Sequence, residues 1–191
     1  MRLVELPRTA GPDYAPTAAV ATADADGFTL LWQEQKRGDP GAEARSTLAR
    51  VKPDGTVTAP PRAVPIPWSL AALVDDGRGY TLAVSFDGAA PNQTRLCFVT
   101  LSREGQPEQH PWWGARPDIV NDVQLALVDG KVTAVYRGGP GSGSLLAVVA
   151  DKDAGRWGVE GPPGRALATG VAPDAPFAVR VKAGVVEVAR R

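Results

Sequence analysis

The chain has 191 residues, 43% of them hydrophobic, which is enough for one domain with a buried core. Its 21 basic and 21 acidic residues cancel, so it has neither the basic footprint of a nucleic-acid binder nor a charged tail. A single cysteine and a single histidine exclude an intrachain disulfide and argue against a His/Cys metal cluster, and no apolar run approaches the roughly 18 residues of a membrane span.

The first predicted element is a strand from Arg2 to Pro7. The opening Met-Arg-Leu-Val-Glu-Leu-Pro lacks the apolar core of a secretory signal, so a soluble, cytoplasmic chain is expected. Glycines then punctuate the chain with a period. Gly27, Gly79, Gly130 and Gly184 each divide two apolar stretches, at spacings of 52, 51 and 54 residues, and are followed by FTLLW, YTLAV, KVTAV and VVEVA. A second series interleaves with the first. The stretches LARVKPDG, FVTLSREG and VVADKDAG end at Gly55, Gly105 and Gly155, 50 residues apart. Each is an apolar strand running into a charged turn, where glycine supplies the positive φ that other residues resist. Two turn series sharing one period of about fifty residues mark a repeat architecture.

The segments beside these turns alternate with period two. Tyr80, Leu82, Val84 and Phe86 take one face, and Thr81, Ala83 and Ser85 the other; Phe177, Val179 and Val181 alternate with Ala178, Arg180 and Lys182. This pattern predicts half-buried strands, and the lack of any capped helical stripe predicts little or no helix. Each repeat holds about four antiparallel strands. Three complete units are expected at 17–66, 67–117 and 118–170. A fourth, 171–191, contributes a hairpin over about 176–190, and Arg2 to Pro7 aligns with the outer strand that follows each second turn, such as Thr56 to Thr58.

The fold class is therefore all-β: a small β-propeller-like repeat of four-stranded antiparallel blades, within a single domain spanning 1–191. A β-sandwich or barrel built from the same hairpins is the alternative. In this organisation the chain resembles β-propeller proteins in general over nearly its whole length, and its size is similar to that of hemopexin-like propellers. The stretch Asp151 to Trp157 (DKDAGRW) resembles the Asp-box of sialidase-like propellers, with Asp151 where that motif carries Ser or Thr and Trp157 one place early. No WD40 or kelch signature is present. The fourth unit could be completed by the N-terminal strand of the same chain, or by exchange of ends in a homodimer.

The most unusual local cluster is His110, Pro111, Trp112, Trp113 and Gly114. Adjacent tryptophans between proline and glycine could present an aromatic platform to a sugar, peptide or protein, so His110, Trp112 and Trp113 are the candidate ligand-binding residues. Trp32 aligns with Val84 and Val135 and reads as core. Cys97, between Leu96 and Phe98, reads as an inert buried thiol. The acid pairs Asp24 with Asp26, Asp75 with Asp76, Asp118 with Asp122, and Asp151 with Asp153 read as turn chemistry, since aspartate bonds its own backbone there. The Gly138 to Ser144 stretch lacks the lysine ending of a phosphate loop and reads as a hairpin tip. Gln35 to Arg45, rich in charge, glycine and proline, is a similar loop that could contact a partner. No catalytic constellation, metal site or cofactor motif stands out. The expected function is a non-catalytic scaffold or accessory module that binds a protein or peptide. The alternatives are a carbohydrate-binding or glycan-active propeller, and a half-ring that self-assembles into a larger propeller.

Overall fold

The computed structural model describes residues 9–24, 26–87, 94–108, 112–113, 121–128, 130–138, 144–151, 156–157, 177–182 and 185–190. Among them every regular element is a strand, and no helix is long and apolar enough to cross a membrane. Three sheets run in simple sequential order. The first holds β1 (Tyr14–Asp24), β2 (Gly27–Lys36), β3 (Arg45–Val51) and β4 (Arg62–Val64). The second holds β5 (Ser69–Asp75), β6 (Tyr80–Asp87), β7 (Thr94–Leu101) and β8 (Trp112–Trp113). The third holds β9 (Asn121–Val128), β10 (Lys131–Gly138), β11 (Ser144–Asp151) and β12 (Arg156–Trp157). A two-stranded sheet follows, β13 (Phe177–Lys182) with β14 (Val185–Arg190). None of these sheets closes into a barrel.

The sequence period reappears as repeated geometry. Val51 forms a lone bridge with Val57, and Leu101, 50 residues on, forms the same bridge with Pro107. Thr58 N donates to Arg50 O at 2.9 Å, and Glu108 N donates to Thr100 O at 2.9 Å. The turns between these bridged residues contain Gly55 and Gly105, with φ of 92° and 83°, the left-handed conformation that glycine adopts at little cost. The other series has a different reason for glycine at its first two members. A Cβ on Gly27 would collide with the carbonyl oxygen of Val51, and one on Gly79 with that of Leu101. There the second strand of each sheet passes too close to the end of the third for any side chain.

The chain divides into two compact units. One comprises Met1–Leu70, Glu104–Gln106 and Pro173–Arg191; the other comprises Ala71–Arg103 and Pro107–Ala172. In the first unit one face of the sheet is apolar because Leu30 and Trp32 of β2 stand beside Ala49 and Val51 of β3, with Ala19, Ala21, Phe28 and Val57 around them. Trp32 is core, as its alignment predicts. The hairpin β13–β14 lies against β1 in this unit. Gly105 also belongs here, where a Cβ would stand 2.9 Å from Val64 Cγ2 and 3.2 Å from Leu48 Cδ2.

In the second unit, Ala83, Leu96 and Phe98 of the second sheet pack with Ala134 and Tyr136 of β10. Val74 and Val132 form a smaller cluster with Leu125. The half-buried expectation for β6 is corrected here. Tyr80, Leu82 and Val84 are buried, and so are Thr81 and Ala83 on the opposite face. Thr81 tolerates burial because its hydroxyl donates to Asp76 Oδ2 at 3.0 Å. Beside it, Asp75 on β5 receives both ends of the Arg103 guanidinium, at 2.5 and 2.9 Å, while that guanidinium also lies 5.2 Å from the Tyr80 ring centre. Hydrogen bonding to Asp75 raises the Arg103 pKa above its ordinary value.

Two substitutions separate the roles of the glycines. Gly79→Ala, which drives a methyl into backbone, should lower stability by about 1–3 kcal/mol in urea unfolding. Gly38→Ala, at a φ of 73° with open space around it, should lose less, about 1 kcal/mol from the backbone alone.

Candidate functional site

Among the described residues a groove lies in the first unit, along β3 and β4. It has a volume of about 590 Å³, within the range of small-ligand and short-peptide sites. Its lining includes the charged Glu43 and Arg45, the prolines Pro61, Pro65 and Pro67, and Thr9 with Ala10. The side chains of Glu43, Arg45, Ala63, Pro65 and Pro67 are exposed, whereas Ser46, Thr47, Val64 and Ile66 beneath them are buried. Proline has no N–H to offer a further strand, so this wall presents apolar surface and carbonyls rather than a free strand edge.

Two consecutive polar residues of β2 fix the groove. Gln33 is 3% exposed and Glu34 1% exposed, and being neighbours on a strand they address opposite faces. Gln33 Nε2 donates to Trp68 O at 2.6 Å, to Ser46 Oγ at 3.2 Å and to Ile66 O at 3.4 Å. The Ser46 hydroxyl donates to the same Ile66 carbonyl at 2.6 Å. The connector from β4 toward β5 is thereby pinned against the sheet. On the other face, Glu34 Oε2 accepts from Thr9 Oγ1 at 2.6 Å and from the backbone N–H groups of Thr9 and Ala10 at 3.2 Å each. Thr9 Oγ1 also lies 2.8 Å from Thr47 Oγ1. A buried carboxylate bound to three donors is a satisfied one, and it anchors the segment ahead of β1.

The loop from Gln35 to Arg45 is ordered by its own bonds. Gln35 Nε2 donates to Pro40 O at 2.9 Å and to Ala42 O at 3.0 Å, and Gly41 N donates to Asp39 Oδ1 at 3.2 Å. At its end the Arg45 guanidinium stacks 4.5 Å from the Tyr14 ring centre.

Of the residues singled out from the sequence, His110 lies outside the described residues. Trp112 and Trp113 form the short outer strand β8, opposite Phe98 and Cys97 respectively. Cys97 is buried, and burial pushes its thiol up to about 12 from an ordinary 9.0. The turn reading of aspartate holds for the pair Asp75 and Asp76, and Asp54 behaves alike. Asp75 Oδ1 accepts from Gly77 N at 2.8 Å, Asp76 Oδ1 from Arg78 N and Gly79 N at 3.0 Å, and Asp54 Oδ1 from Thr56 N at 2.8 Å. Asp118 and Asp153 lie outside the described residues. No group of three or more His, Cys, Asp or Glu suited to a metal ion occurs among the described residues. Sequence reasoning named the Gln35–Arg45 loop as a contact surface but missed Thr9, Gln33 and Glu34. The signal available was a Gln-Glu pair at the end of an otherwise apolar strand.

The chain matches no protein-family model and no curated protein.

Gln33→Leu should cost about 1–3 kcal/mol, because it leaves the Trp68 carbonyl without its donor; urea unfolding reads the loss. Cys97 yields a second outcome. Its folded pKa is raised, so the thiol favours folding fully below the unfolded value of 9.0. That contribution is lost as pH climbs toward about 12, at up to ~1.4 kcal/mol per pH unit. The stability advantage of the native chain over Cys97→Ala should therefore shrink between about pH 9 and pH 11. A thiol reagent should label Cys97 only after denaturant is added.

Proposed function

We propose that this chain is a non-catalytic protein- or peptide-binding module, built on propeller-type blades, that takes its ligand in the groove along β3 and β4. The single observation that carries the reading is a preformed groove whose floor is held by buried side chains and whose rim is exposed. Ser46, Thr47 and the Val64–Trp68 connector are bonded beneath, while prolines and one side chain of each charge face outward. Such a site loses little entropy on binding, because its own side chains are already ordered. Apolar proline walls with a few polar contacts suit an extended segment of polypeptide. The blade reading is supported by three sequential four-stranded antiparallel sheets with a shared period.

The test is selection of a random heptapeptide library on the purified chain, followed by the same peptides against Ala63→Trp, which fills the groove from the exposed side of β4. Enriched peptides should bind the native chain and lose at least about tenfold in affinity to the variant, a difference of 1.4 kcal/mol or more. Circular dichroism of both proteins should coincide. Peptides that bind the two proteins equally, or no enrichment at all, would overturn the proposal.

A further inference from the structure

The charges around the groove are not paired as the strand register would predict. Glu34 of β2 and Arg45 of β3 are direct cross-strand partners. Opposite charges so placed ordinarily attract one another across the pair. Here Glu34 Oε2 is instead taken by Thr9 Oγ1, Thr9 N and Ala10 N. Arg45 has turned onto the face of Tyr14, a strand further away, and lines the groove with no carboxylate within ion-pair distance among the described residues. Among the described residues the guanidinium thus lies against an aromatic ring and has no carboxylate partner, and an arginine side chain offers a planar fork of donors.

We propose that Arg45 is the residue by which the groove recognises a carboxylate side chain of an extended peptide, and that Thr9 keeps Arg45 available by occupying Glu34. The inference rests on the groove being the ligand site proposed above. Charge complementarity selects the occupant: a guanidinium with no carboxylate partner among the described residues calls for an acidic residue, and a planar carboxylate meets the fork in two parallel hydrogen bonds. Glu43, exposed in the same groove, limits how acidic the ligand can be. A segment with one acidic residue fits, and a run of them would meet Glu43.

The inference makes opposite predictions for neighbouring residues. Arg45→Ala removes the contact. Glu43→Gln removes a repulsion and strengthens binding. Thr9→Val takes away the hydroxyl that competes for Glu34, lets Arg45 turn toward Glu34, and weakens binding although it leaves every charge in place. Thr9→Ser restores the hydroxyl and rescues it.

The experiment is an NMR titration of the full chain with three capped peptides: acetyl-AAEAA-amide, acetyl-AAQAA-amide, and acetyl-AAQAA bearing a free C-terminal carboxylate. The amides of Thr47 and Ala63 report occupancy of the groove, and Arg45 Nε–Hε reports the carboxylate. The expected result is about tenfold tighter binding of the glutamate peptide than of its glutamine counterpart, with the preference abolished by Arg45→Ala and reduced by Thr9→Val but not Thr9→Ser. Equal binding of the first two peptides would overturn the role of Arg45 and leave the groove reading standing. Tighter binding of the free-carboxylate peptide than of the glutamate peptide would overturn the assignment of an acidic side chain. No shift at Thr47 or Ala63 with any peptide would overturn the inference and the groove reading together.

Discussion

Burial of Gln33 and Glu34 side by side on β2 is the constraint on which the first unit's groove depends. A polar group removed from water must find partners inside the protein or lose several kcal/mol, on the order of 2–7 for an amide or hydroxyl. Neighbours on a strand cannot share a face, so the demand is made twice, once on each side of the sheet. Gln33 captures the connector after β4, and Glu34 captures the segment before β1. The described residues of these segments, 9–13 and 65–68, belong to no regular element that would hold them. Both also line the groove, which therefore exists where the two buried side chains have gathered chain around β3.

The same logic of satisfied backbone explains why the repeat survives where the side chains differ. Between the first and second sheets the bridge Val51–Val57 becomes Leu101–Pro107, and the turn LysProAspGly becomes SerArgGluGly. What persists is the closing hydrogen bond, the left-handed glycine, and the close approach that bars a side chain at Gly27 and Gly79. Backbone requirements are indifferent to most side chains, so the strands between are free to diverge.

This separation also explains what was legible in the sequence. The glycine period, the strand order within each repeat, the hairpin at 177–190 and the core position of Trp32 follow from local rules that a single chain displays. Burial on both faces of β6 does not, because Thr81 looks like a solvent-facing residue until its bond to Asp76 is seen. The groove was half visible. The loop ending at Arg45 announces itself by charge, glycine and proline, whereas Thr9 and Glu34, 25 residues apart, have no local pattern that would bring them together. The tryptophan pair drew attention by composition, yet its place on a two-residue outer strand is set by hydrogen bonds to β7 that composition does not encode.

Repetition has a hazard of its own. Strands that are near equivalents can pair with the wrong neighbour while the chain folds, and multi-repeat proteins misassemble in this way. The Asp75–Arg103–Tyr80 group bears on that hazard. By the repeat offsets its counterparts in the first sheet are Ala23, Pro53 and Phe28, which cannot reproduce the ion pair. A partly exposed pair of this kind contributes little to stability. As a mark of identity it is more useful: a β7 turn docked on the wrong hairpin would meet alanine where aspartate belongs. Such a contact gives this hairpin an address and favours its own sequential pairing over a mismatched one.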